Sequence, residues 1–152
     1  MKDTFSINDV AMITGLSTRT IRNYIALGFL SGEKVNGAWT FTDKQVEEFT
    51  QDKAVKPSIK AKKNAIVFDF LGAKPEKQDK MCTILDLTFQ ESISASVFFC
   101  KKISELDPSS EFHFASEPLG TGVRMILSGS PSDVLGLISQ YYSRSDTDEF
   151  SD

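Results

Sequence analysis

The sequence predicts an α+β protein of two modules: a helical unit carrying a small hairpin, then a two-layer unit in which helices cover an antiparallel sheet. Three observations carry that expectation. Charge divides unevenly: residues 1–64 hold ten Lys/Arg and seven Asp/Glu, residues 65–152 hold seven and fourteen, and the total is −4. The first third alternates short capped apolar stretches with single glycines, as short helices and tight turns do. Beyond residue 65 the pattern runs ββαββα, an order that puts helices on one face of a sheet.

At 152 residues, with 40% apolar and 25% charged composition, the chain suits one domain or two small ones. No apolar run approaches the roughly 18 residues of a membrane span. The polar start Met1-Lys2-Asp3-Thr4-Phe5 is unlike a secretory leader, so a cytoplasmic location is expected. Cys82, Cys100 and His113 are too few for a disulfide framework or a metal cluster, and no metal or cofactor is expected. An acidic pI argues against nucleic-acid binding only where charge is uniform, so each module is judged by itself.

In the first module Ser6, with Asp9 three residues on, is a capping-box start for a helix carrying Ile7, Val10, Ala11 and Ile13, and Gly15 stops it. Ser17 or Thr18 caps a second helix from Arg19 to Ala26, with Ile21, Tyr24 and Ile25 at helical spacing and Gly28 at its end. Ser31 to Phe41 reads as a hairpin turning at Asn36-Gly37. Thr42-Asp43 then cap a third helix with Val46 and Phe49.

Residues 53–64 hold five lysines, no acid and Pro57, which marks a lysine-rich linker over 54–64. It is a solvated connector, or a connector that also touches DNA phosphates. In the second module, 65–143, strands are expected at Ala65–Leu71 and Met81–Leu87. A helix follows from the capping box Thr88-Phe89-Gln90-Glu91 through Ile93, Val97, Phe98, Cys100 and Ile103. Two more strands are expected at Glu111–Ala115 and Val123–Leu127, joined at Gly120-Thr121-Gly122. Ser130-Pro131-Ser132-Asp133 opens a last helix with Val134, Leu135, Leu137, Ile138 and Tyr141. Residues 144–152 form an acidic, Ser/Asp-rich tail expected to be disordered.

A helix-turn-helix needs a small residue where its helices cross, a turn residue that accepts positive φ and an apolar anchor in the second helix. Ala11, Gly15 and Ile21 supply these. The stretch Gly15-Leu16-Ser17-Thr18-Arg19-Thr20-Ile21-Arg22-Asn23-Tyr24, closing with Leu27-Gly28-Phe29-Leu30, resembles the DNA-binding domain of MerR-type transcription regulators, as does Gly37-Ala38-Trp39-Thr40-Phe41-Thr42 in the wing. The resemblance spans about residues 4–53 and implies a winged helix-turn-helix over 1–53 that inserts its second helix into the major groove of double-stranded DNA. It places Arg22 and Tyr24 at phosphate-contacting positions and Arg19 in the recognition helix.

The residues suit those roles. Ser17, Thr18 and Thr20 stand at a helix N-terminus, where hydroxyls and backbone N–H groups meet phosphate. Arg19 and Arg22 share a helix face with Asn23 beside them; Arg can read guanine and Asn adenine. Tyr24 is either a packing ring or a phosphate-contacting hydroxyl. The pattern departs from the family at Asn23, Trp39 and Phe41, where tyrosine, arginine and tyrosine are usual. Trp39 packs the hairpin or serves the wing, Lys34 or the lysine linker can offset the missing wing charge, and Asn36 is a further DNA-binding candidate in the wing. Beyond residue 53 no heptad pattern continues, so a homodimer, expected because small modules of this kind bind paired half-sites, would form through residues 65–143 or the end of the third helix, the former being the expectation.

Other candidates are weaker. His113 alternates with Phe112 and Phe114 and reads as a half-exposed strand residue. Cys100 reads as core, and Cys82, at a strand start, as an exposed thiol that is inert or redox-sensitive. Gly120-Thr121-Gly122 is a strand turn or an anion cradle. The phenylalanines at 68, 70, 89, 98, 99, 112 and 114 form a core or line an effector pocket, for a small-molecule or protein effector. No nucleophile–base pair or phosphate loop stands out, so no enzyme is expected. The function expected is a sequence-specific transcription regulator; the alternatives are an excisionase-like architectural DNA-bending protein and a protein-interaction adaptor.

Overall fold

The computed structural model describes residues 4–74, 77–88 and 92–144, with residues 92 and 93 described by their backbone alone. The capping box expected at Thr88–Glu91, the core role of Phe89 and the tail beyond 144 therefore lie outside the described residues, wholly or in part. The elements are β1 Thr4–Phe5, α1 Ile7–Thr14, α2 Thr18–Leu27, β2 Glu33–Val35, β3 Ala38–Thr42, α3 Asp43–Gln51, α4 Lys56–Gly72, β4 Met81–Thr88, α5 Ser92–Ser104, β5 His113–Leu119, β6 Gly122–Gly129 and α6 Pro131–Ser143. Two three-stranded antiparallel sheets result, ordered β1-β3-β2 and β4-β6-β5. The protein is α+β, as the sequence predicts.

Local chemistry explains most element boundaries. Ser6 accepts from the Asp9 N–H while the Asp9 carboxylate accepts from the Ser6 N–H, closing the box that starts α1. Thr42 and Gln45 repeat the device on α3, and the Ser17 and Ser130 hydroxyls cap α2 and α6. Each such cap contributes about 1 kcal/mol. Gly15 ends α1 at φ 78°, with its N–H donating to the Ala11 carbonyl. A Cβ there would also stand 3.3 Å from the Ala115 Cβ, so the same residue makes the turn and lets β5 approach.

One expectation is overturned. Residues 65–71 are not a strand and residues 56–64 are not an irregular connector, because both lie in α4. The second module therefore reads αβαββα from that helix onward, rather than ββαββα. Pro57 sits in the first turn, where its missing N–H costs nothing. The β-branched and aromatic run Ala65–Leu71 is helical because Ile59, Lys63, Ile66 and Phe70 fall on one helical stripe and α4 packs on β5 and β6. Tertiary burial outweighs strand propensity here.

Two cores form. Phe5, Val10, Ile13, Ile21, Leu30, Phe41, Val46, Phe49 and Ile59 fill the first, and Leu87, Phe99, Phe114, Met125, Leu127, Val134, Leu137 and Tyr141 the second. The phenylalanines at 98, 99 and 114 pack in the second core, where 98 and 99 meet Tyr141, while Phe70 and Phe112 line surface grooves. In the second unit α5 lies over β5 and β6, α6 over β4 and β6, and α4 on the opposite face of the sheet. The end of α1 closes the β5 edge: the buried Ser116 hydroxyl donates to the Ile13 carbonyl at 2.7 Å, and Ser96 of α5 completes the chain at 3.0 Å. On the α4 face the buried Lys63 ammonium pairs with Glu117. The helix-turn-helix is thus fastened to the sheet through α1 and α4.

Gly122 is set by a close approach, since a Cβ there would fall 1.9 Å from the Leu87 carbonyl oxygen. Gly122→Ala must open the β4–β6 ladder, and urea unfolding should show a loss of about 3 kcal/mol, the upper end of overpacking effects.

Candidate nucleic-acid interface

The site is built on α2. Ser17 accepts from the Thr20 N–H at 3.1 Å and donates to its hydroxyl at 2.9 Å, fixing the N-terminal turn. Ile21 is fully buried, so the helix cannot roll, and Arg19, Arg22 and Asn23 are left exposed on the outward side. Thr18 and Thr20 are half-buried beside the cap. The structure therefore brings Ser17, Thr18, Arg19, Thr20, Arg22 and Asn23 onto one helix with its N-terminus open to an anion.

Tyr24 is placed differently. Its ring meets Phe29 and Phe49 edge-on, at centroid distances of 5.8 and 5.4 Å, and its hydroxyl lies 2.9 Å from the Ser58 hydroxyl. It ties α2 to the start of α4. A phenol both donates and accepts, so a bond from Ser58 leaves the tyrosine proton for another oxygen. Ser58 was not legible as a partner, because the helix that carries it was not.

The wing is a tight hairpin. Asn36 at φ 53° and Gly37 at φ 82° form the turn, both left-handed as a two-residue hairpin loop requires. Lys34 faces Trp39 across the strands, with Nζ 5.4 Å from the ring centroid. Trp39 in turn stacks on buried Phe41 at 6.2 Å. The tryptophan both packs the hairpin on the core and holds Lys34 at the surface. Lys53, Lys56, Lys60 and Lys62 are exposed around the start of α4, whereas Lys63 is turned inward.

Weaker candidates resolve in the same way. His113 is exposed at the start of β5 while Phe114 is buried. Gly120 and Thr121 make the β5–β6 turn. Cys100 sits between the two cores, and burial, with the Asp9 charge adding to it, pushes its thiol up to about 12. Burial also raises Cys82, against a hydrogen bond with Ser128. Only the thiolate attacks alkylating agents. Iodoacetamide at pH 8 should leave Cys100 unmodified in the native protein and label it fully in guanidinium, as peptide mass spectrometry would show.

A three-helix unit with a two-stranded wing and a capped, outward-facing cationic second helix is a winged helix-turn-helix, a fold that DNA-binding proteins use. The sequence pattern of the MerR HTH family regulatory protein matches residues 5–55, and this segment is a MerR-type helix-turn-helix domain of the DNA-binding, transcription-regulating kind. No curated protein and no solved structure gives a match. Among the described residues no helix is long and apolar enough to cross a membrane.

Proposed function

We propose that the protein is a sequence-specific, double-stranded-DNA-binding transcription regulator of the cytoplasm, acting as a homodimer through residues 65–143. The observation that carries this reading is the exposed row Arg19, Arg22 and Asn23 on a helix whose buried face is locked by Ile21. Arg19 and Asn23 read base edges; Arg22, the Ser17–Thr20 turn and the Tyr24 proton hold phosphates; Lys34 and Asn36 approach the backbone from the wing beside Trp39. No step of this work needs a cofactor or an enzymatic centre.

The second module fits a regulatory role. Between α4, β5 and the start of α6 lies a groove of about 590 Å³, lined in part by Ile66, Asp69, Phe70, His113, Ser128 and Asp133. An effector seated there would touch α4, which is fastened to α2 through Tyr24 and Ser58.

Selection of bound duplexes from a randomised library tests the reading. The expected result is a paired motif with two-fold symmetry, and Asn23→Ala should relax preference at one base pair of each half-site. Recovery of unrelated sequences would favour the architectural, DNA-bending alternative.

A further inference from the structure

The two edges of the second sheet are treated differently. Strand β5 is packed by α1, α3 and α4 and carries Pro118, which cannot donate to a further strand. Strand β4 runs eight residues in unbroken register with β6, and among the described residues it pairs with nothing else. It holds no lysine, proline or bulge, the devices that ordinarily guard an open edge.

The side chains around that edge are apolar. Ile84 is 58% exposed on one face of β4, and on the other face Leu135 and Tyr142 of α6 are 54% and 61% exposed. Seven residues apart, these two share a stripe of α6. Asp133, Gly136 and Gln140, which share a groove with Lys102 of α5 and with Glu105 and Leu106 just beyond it, lie on the other side of the helix. Leu135 and Tyr142 therefore project away from α5, over the β4 edge.

Resting on the homodimer reading above, we propose that β4 and the adjoining flank of α6 bind a second copy of this chain. The two β4 strands pair antiparallel about Ile84 and join the sheets into one of six strands. About a two-fold axis residue i meets residue j of the partner and j meets i, so a patch carrying charges of one sign would face that same sign. Within β4 the one charge is Asp86, and Arg124 grips both its oxygens at 2.7 Å. Pairing about Ile84 sets Cys82 opposite the partner's Asp86 and Thr83 opposite the partner's Leu85, so both faces of the sheet continue without inversion. The patch is long enough. Eight strand residues span about 27 Å; with the helix layer about 10 Å away the two-layer edge is about 20 Å wide, so it covers about 500 Å² per copy, near the lower bound for a specific interface.

Sedimentation velocity of the full chain at 10 μM tests this, with circular dichroism confirming that each variant is folded. Wild type should sediment as a dimer, and Ile84→Lys and Leu135→Glu should each weaken association at least 10-fold, giving monomer. In a Cys82→Ser background, Ile84→Cys should form an oxidised covalent dimer, as a pair on the two-fold axis must. A dimer that survives both β4 and α6 variants but dissociates on Phe68→Glu, at the exposed face of α4, would overturn this surface and leave the homodimer standing. A wild-type monomer would overturn both, while DNA binding is read separately by titration.

Discussion

Replacing Arg19 and Arg22 together by alanine should reduce affinity for a cognate duplex about 100-fold or more and leave thermal stability nearly unchanged. Both side chains are exposed on α2, so their removal disturbs no core. A bidentate arginine–guanine pair discriminates by about 1–3 kcal/mol, and each lost phosphate contact lowers the salt slope by about 0.9. Arg19→Lys should separate the two contributions: the charge persists, but the fork that matches guanine is gone. The lysine variant is therefore expected to bind random DNA as well as wild type does while losing preference for its own site. Unchanged affinity in the double variant would move DNA contact away from α2, and with it the adaptor alternative would gain ground.

The second large effect concerns the fastening between the modules. Lys63 is buried at 5% exposure, while the Glu117 side chain keeps 18% and faces Arg124 across the β5–β6 pair. Glu117→Ala leaves an ammonium stranded between α4 and the sheet, and breaking a buried pair in that way costs about 3–5 kcal/mol. Lys63→Met leaves a carboxylate that retains water and an arginine neighbour, so about 1 kcal/mol is expected. The double change Lys63→Met with Glu117→Leu should recover most of the loss, because neither charge remains to be desolvated. Urea unfolding followed by circular dichroism reads all three variants. Equal small losses from both single changes would show that the pair does not hold α4 to the sheet.

The distribution of these features explains what could be read from residues alone. Helices α1, α2, α3 and α6 were legible because their signals are local: a hydroxyl at the cap with its partner three residues on, and in α1, α2 and α6 a glycine or proline at the boundary. The exposure of Arg19, Arg22 and Asn23 was legible for the same reason, since it follows directly from the phase that Ile21 sets. Helix α4 was not. Its N-cap, Val55, makes no side-chain bond, and its inward stripe contains Lys63, which reads as a surface residue until Glu117 is brought to it from 54 positions away. The consequences propagate: without α4 the Tyr24–Ser58 bond has no place, and the covered β5 edge cannot be told from the open β4 edge. Trp39 illustrates the intermediate case. Packing and wing service were alternatives in the sequence, and the ring stacks on Phe41 while carrying Lys34 above it.

In the proposed function α2 recognises DNA sequence through a charge-assisted, salt-sensitive contact. Fluorescence-anisotropy titration of the full-length protein onto a duplex from its own promoter region, beside a random duplex, tests it most directly when each is run at two salt concentrations. The expected result is tighter binding to the promoter duplex, with affinity for both falling steeply as salt rises. No binding to either duplex at low salt would contradict it.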